Sequence, residues 1–490
     1  MRTRLIISWR AVVGGAALLA LTGCALIRDE PPAMAAVDPA RIRLAEDIKL
    51  AREGWPEAQW WQRYQDPQLD ALIATGQRRS PRMAIARAQV EAARAQTRLT
   101  HASGGLLLGL VGSISRQSPS ENGYLGPFAK NEPALGLDGP WYTGGTLALE
   151  GSYEFDLWGK HSAQTQAALG IENARLAEAA QAELWIAAQI AQVYFDIQSL
   201  YAARDLLRQS REIEREMLAA HTARAERGLE PRTQVELTRI HVLELDKQMA
   251  DVESKLKMLE EAMRPLLGAG ADDLPEIAQR PLPPQAGAIP ATLGYELLAR
   301  RADLQAMRWS VQASLSGVDA ARAAFYPTFD IKVFFGLDSL HLDNLLERSS
   351  RQIQVVPGLT LPLFDSGRLN ANLASARSSS NLTIAQYNAA VVDAVRQVAH
   401  AGVELQGLQQ QADIQDAKLA ATRFASDSAV AHYQRGLADK VLAMESRLPV
   451  LYEQGQQLAL RSRQLNAEIA LTLALGGGYR VADDAHAPAP

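Results

Sequence analysis

From Lys160 to Arg224 the chain has no proline and one glycine, Gly170. Proline removes a helical hydrogen bond and clashes with the preceding turn, so its absence leaves the whole stretch free to stay helical. At ~1.5 Å per residue, such a helix would run about 97 Å. A helix that long needs neighbours along its length and implies a coiled coil or repeat assembly. Residues 368–433 are equally free of proline. Small residues recur in both, as at Ala163, Ala167 and Ala168 and at Ala371, Ala374 and Ala376, so helices can approach closely while Gln, Glu and Arg cover the remaining faces.

The two stretches are copies. Gly159 and Gly367, Gly228 and Gly436, and Gly268 and Gly476 each stand 208 residues apart. Three anchors at one offset define an internal repeat that aligns without a gap between them. Each copy reads helix, strand, loop, strand, then two long helices. Predicted strands are 106–115 and 146–155 in the first copy and 328–337 and 352–363 in the second. Predicted helices are 160–224 and 233–267, then 368–433 and 439–475. Arg227-Gly228-Leu229 and Arg435-Gly436-Leu437 end the first helix of each pair, because glycine takes the left-handed conformation that closes a helix. Thr233 and Asp439 are the expected N-caps, and Pro265 is read as a stop signal. The repeats span 81–268 and 296–477, joined by a Pro-rich linker, 269–295, and followed by a tail, 478–490.

Three of the four strands alternate strictly. Leu147, Leu149, Tyr153 and Phe155 oppose Thr146, Glu150, Ser152 and Glu154; Phe329, Ile331, Val333 and Phe335 oppose Thr328, Asp330 and Lys332. Ile353, Val355, Leu359 and Leu361 oppose Gln354 and Thr360. Period-2 patterning over about ten residues suits strands with one apolar and one wet face, including tilted membrane-spanning strands. The segment between the first two strands, 117–145, reads as a surface loop rich in Gly, Pro, Ser and Asn.

Residues 1–23 read as a signal segment: Arg2, Arg4 and Arg10 precede an apolar run too short to span a bilayer, which ends in Leu21-Thr22-Gly23-Cys24. Cys24 is the only cysteine and the expected site of lipid attachment. Residues 24–80 are an N-terminal anchor and connecting segment. A net charge of −5 leaves no basic footprint for nucleic acid. The eight histidines are scattered, without His-Glu-x-x-His, and no Gly-rich phosphate loop precedes a helix, so neither an enzyme nor a metal centre is expected.

The lipobox, Trp60-Trp61-Gln62-Arg63-Tyr64-Gln65-Asp66-Pro67, Tyr153-Glu154-Phe155-Asp156-Leu157-Trp158-Gly159-Lys160, Leu361-Pro362-Leu363-Phe364-Asp365-Ser366-Gly367-Arg368 and both Arg-Gly-Leu turns resemble the TolC-like outer-membrane factors, in particular their efflux lipoprotein branch. The resemblance covers residues 24–477. It implies a mainly α fold with a β-barrel part, in which three chains close twelve strands in the outer membrane and a helical tunnel in the periplasm. The function it implies is a passive exit duct for small molecules, fed by an RND-type inner-membrane pump through a periplasmic adaptor. No cofactor is implied beyond the lipid on Cys24.

By the same resemblance Arg227, Gly228, Leu229, Arg435, Gly436 and Leu437 lie where the adaptor docks, and Val441, Glu445 and Arg447 form a periplasmic gate. Trp158, Gly159 and Gly367 mark the barrel–tunnel junction. Serine replaces Trp158 in the second copy, so the glycine is expected to set the junction and the tryptophan to be the more replaceable residue. Two alternatives stand beside the efflux duct: the duct of a type I protein secretion system, and a periplasm-spanning structural lipoprotein without a pore.

Overall fold

The computed structural model describes residues 30–37, 56–123, 126–132, 134, 137–270, 272–284 and 301–479. The signal segment, Cys24 and the tail from 480 onward lie outside them. The elements in chain order are α1 (Pro67–Arg79), α2 (Pro81–Ser103), β1 (Leu107–Gln117), β2 (Asn131–Glu132), β3 (Leu137–Asp138), β4 (Tyr142–Phe155), α3 (Lys160–Glu226), α4 (Arg232–Leu267), α5 (Ala302–Ala323), β5 (Thr328–Ser339), β6 (Arg351–Thr360), α6 (Arg368–Gln434), α7 (Lys440–Glu445) and α8 (Leu448–Ala474). The first long helices of the two copies are both 67 residues long and begin and end 208 residues apart.

The repeats are not the compact units of the fold. One unit gathers the stretch up to Ala35 with Ala92–Glu172 and Trp309–Ile384; the other gathers Ala36–Glu91, Asn173–Arg308 and Ala385–Pro490. Each unit draws on both copies: in one, the strand 142–155 of the first pairs with the strand 328–339 of the second, and in the other Leu465 and Ile469 of the second join the core of the first.

The first unit holds a four-stranded antiparallel sheet in the order β1-β4-β5-β6. Its register decides which residues share a face: Leu110 stands opposite Leu149, Leu149 opposite Phe335, and Phe335 opposite Ile353. Because side chains alternate along each strand, one apolar face runs across all four strands. Its Leu110, Leu149, Phe335 and Ile353 are exposed. The opposite face carries Glu150, Ser152, Glu154, Asp330, Lys332 and Gln354. The register also gives β1 its sides, which glycines at 109 and 112 obscure in the sequence.

Three boundaries differ from expectation for local reasons. β4 begins at Tyr142, because β1 continues to Gln117 and Tyr142 pairs with it. The loop before it contains the short β2–β3 pair and covers the Tyr142 ring, which is 6.4 Å from Phe128 and 5.6 Å from His341. β6 stops at Thr360, two residues before Pro362, which has no N–H for a ladder. In the same unit α5 and α6 pack on each other through Val318, Leu369 and Leu373, joined by Phe325 just after α5.

The main core lies in the second unit, where Trp60, Trp61, Tyr64, Leu69 and Ile73 are buried with Ile186, Ile190, Tyr194, Phe195, Met263 and Leu267. The Trp60–Tyr64 turn leads into Asp66, which caps α1 by accepting the Gln68 N–H at 2.9 Å, with Pro67 at the first helical position. The Tyr194 hydroxyl donates to the other Asp66 oxygen at 2.5 Å, fixing the cap against α3.

The closing helices of the two copies diverge. α4 runs through Pro265 and is ended by Gly268 at φ +61°, so the stop is the glycine and not the proline. Its N-cap is Pro231; Thr233 lies inside the helix. The single helix expected over 439–475 is broken into α7 and α8. Pro449, in the first turn of α8, lacks an N–H and would clash with the carbonyl of residue 445 in a continuous helix.

Candidate functional site

The two helix-ending turns have one geometry. The Gly228 N–H donates to Ala225 O and the Leu229 N–H to Arg224 O, both at 2.9 Å; Gly436 and Leu437 donate to Tyr433 O and His432 O at the same distances. With Gly228 at φ +73° and Gly436 at +72°, both are Schellman motifs, which satisfy the last helix carbonyls. Arg227 and Arg435 are exposed, and Leu229 and Leu437 are 69% and 71% exposed. Each turn thus presents an apolar and a cationic side chain on a rigid bend.

A network that the sequence did not reveal ties the turns together. Arg224 donates Nη1 to Asp439 Oδ2 at 2.6 Å and lies 2.8 Å from Glu230 Oε1 through Nε; His221 Nδ1 is 2.7 Å from Glu230 Oε2. Asp439 caps α7 with its other oxygen, which accepts the Val441 N–H at 3.4 Å. The Arg224 hydrogen bond holds the Asp439 carboxyl below its ordinary range. A salt bridge 215 residues apart in sequence has no local signature.

The expected gate residues separate. Val441 is buried, packed with Ile213, Met217 and Met444, and does not face outward. The reason is helical phase: Val441 and Met444, three apart, both meet α3. Glu445 and Arg447 are exposed, and no ion pair between them occurs among the described residues. Arg447 lines a groove of about 580 Å³ with Glu212, Glu216, Arg423 and Asp427. Glu445 raises the pKa of Glu214 further, after the burial that is the main cause of its rise.

At the junction, Gly159 (φ +74°) and Gly367 (φ +84°) both take the left-handed conformation. Asp156 accepts the N–H groups of His161 and Ser162 at 3.1 and 2.8 Å, and Asp365 accepts that of Leu369 at 2.7 Å, capping the long helices. Trp158 is more engaged than the repeat suggested. Its Nε1 donates to Pro327 O at 2.7 Å and its ring stacks on Tyr326 at 4.8 Å. Ser366 has no ring to stack.

A sheet apolar on one side, polar on the other and open at both edges, joined by left-handed glycines to 67-residue helices, defines a protomer of an outer-membrane channel. The chain belongs to the outer membrane efflux protein family, whose model matches residues 72–269 and 293–477. It is similar to the multidrug resistance outer membrane protein MdtP of Escherichia coli O6:H1, at 47% identity over 472 residues and 96% of each chain. MdtQ of the same strain is 39% identical over 468 residues, covering 94% of this chain and 97% of that one. The outer membrane protein VceC of Vibrio cholerae superposes with a TM-score of 0.76 at 31% identity, over 86% of this chain and 100% of that one.

The fold is that of the trimeric outer-membrane channels, with a mainly helical part and a four-stranded share of a β-barrel. The protein is the outer-membrane channel component of a tripartite efflux system and extends into the periplasm.

Proposed function

We propose that the channel is a passive exit duct: it performs no chemistry of its own, and an RND-type inner-membrane pump delivers small molecules into it through a periplasmic adaptor. The observation that carries this reading is the sheet, whose apolar face is continuous across four strands while its other face is polar. A wet face backed by an oily one suits a water-filled barrel in lipid. Drugs are the proposed cargo, and the relatives named multidrug resistance outer membrane proteins support this.

In this reading Leu229 and Leu437, with Arg227 and Arg435, meet the adaptor. Glu445 and Arg447 act at the periplasmic constriction, the arginine through its acidic groove, and Val441 holds α7 in place from within. A lipid on Cys24 attaches the amino terminus to the outer membrane. The test is single-channel recording of the purified protein in a planar bilayer, together with drug sensitivity of a deletion strain. Conductance that rises in the Glu445→Ala/Arg447→Ala variant and hypersensitivity of the deletion strain are expected. A non-conducting protein, in wild type and variant alike, overturns the reading.

A further inference from the structure

We propose that the polar face of the sheet carries a transit subsite for aromatic organic cations, centred on Glu150 and Phe334; the proposal rests on the reading of this face as the lining of the duct. Cross-strand register sets Gly109, Glu150, Phe334 and Gln354 in one row. Of the phenyl rings on β5, Phe329 and Phe335 lie on the apolar face and Phe334 alone on the polar one. A phenyl ring on a wet face is out of place unless something covers it.

The ground beside it is kept low. The next row is Val111, Ala148, Gly336 and Gln352, and a Cβ on Gly336 would lie 2.4 Å from the Ala148 Cβ, so the row admits no larger side chain there. A concavity of about 630 Å³ opens on this face, lined by Val111, Glu150, Lys332, Phe334, Gln354 and Val356 among others. Its walls are the Phe334 ring, aliphatic side chains, the Glu150 carboxylate and the Lys332 ammonium, the last 3.8 Å from Asp330.

The site holds one carboxylate and one ammonium, and pairing of Lys332 with Asp330 leaves Glu150 as the charge open to a cation. Glu154 is 2.6 Å from Lys160, Asp330 is 3.8 Å from Lys332, and Asp338 accepts the Thr146 hydroxyl at 2.7 Å. Glu150 forms no hydrogen bond or ion pair among the described residues. A free carboxylate directly across the strand pair from a phenyl ring, with side chains ~5 Å apart at Cβ, matches a molecule that joins a positive charge to an aromatic or alkyl body. In the trimer the subsite recurs three times around the lumen, offering weak successive contacts that a passing molecule can leave.

The experiment uses benzyltrimethylammonium as probe on the full-length protein. In planar bilayers it is expected to block current in a concentration-dependent way, with benzenesulfonate and benzyl alcohol inert. Glu150→Gln and Phe334→Leu, both on the water-facing side, are expected to conduct and to need about fivefold more probe for half block. Saturation-transfer NMR on the detergent-solubilised protein reads binding independently of conductance: probe signals are expected in wild type and weakened in both variants. Equal binding in wild type and variants, or equal binding of benzenesulfonate, overturns the subsite and leaves the duct reading intact. Binding without conductance leaves the subsite standing and counts against the duct.

Discussion

Asp439 shows how much one side chain can carry at a helix tip. One oxygen caps α7 and the other receives Arg224 at 2.6 Å. Asp439→Ala removes both and is expected to cost ~1 kcal/mol for the cap, with a smaller loss from the exposed ion pair. Asp439→Asn keeps a capping oxygen and should lose only the pair. Amide hydrogen exchange across Val441–Met444 separates the two: faster in Ala, near wild type in Asn. The carboxyl is held low by the arginine, so its contribution is complete above the unfolded value of about 3.9. It is lost only as the pH falls through the depressed folded value. Exchange in α7 is therefore expected to be insensitive to pH near neutrality, after correction for intrinsic rates. In the sequence Asp439 was legible as a cap, whereas its partner was not, because ion pairing depends on where two distant helices end.

At the scale of elements, one close contact of a long helix depends on a small residue. Gly170 on α3 lies against Ala313 on α5 so closely that an added Cβ would stand 2.8 Å from the Ala313 Cβ and 3.1 Å from its Cα. Gly170→Leu is expected to destabilise by about 1–3 kcal/mol through overpacking, read as a lower denaturation midpoint. Adding Ala313→Gly should recover part of that loss. The single glycine in a proline-free run thus marks a contact and not a bend. The bends are at Gly159 and Gly367, as the repeat implied. The break between α7 and α8 was the element least visible beforehand, although Pro449 was its cause. The offset of the repeat suggested a copy of α4, and α4 has no proline at the equivalent place.

At the scale of the whole molecule, the sheet has two edges unpaired among the described residues, β1 and β6. Exposed edges invite further strands, and closure by three copies satisfies them. In the second unit, the exposed Leu229 and Leu437 are the apolar centres of the proposed adaptor surface. Leu229→Asp combined with Leu437→Asp is expected to abolish co-purification of the adaptor while trimer formation and conductance persist. A variant that still captures the adaptor would remove the two turns from the interface.

The sequence by itself determined the repeat, the two long first helices, the alternating strands and the glycine turns, because each is a local property: a period, a missing proline, a residue able to take positive φ. Only the tertiary structure decided what depends on register and helical phase. It gave β1 its apolar side, placed Phe334 beside Glu150, buried Val441 against α3, joined Arg224 to Asp439 and gave Trp158 its partners Pro327 and Tyr326. These contacts link residues far apart in the chain, Arg224 and Asp439 by 215 positions, and no local pattern encodes which side of one element will meet which side of another.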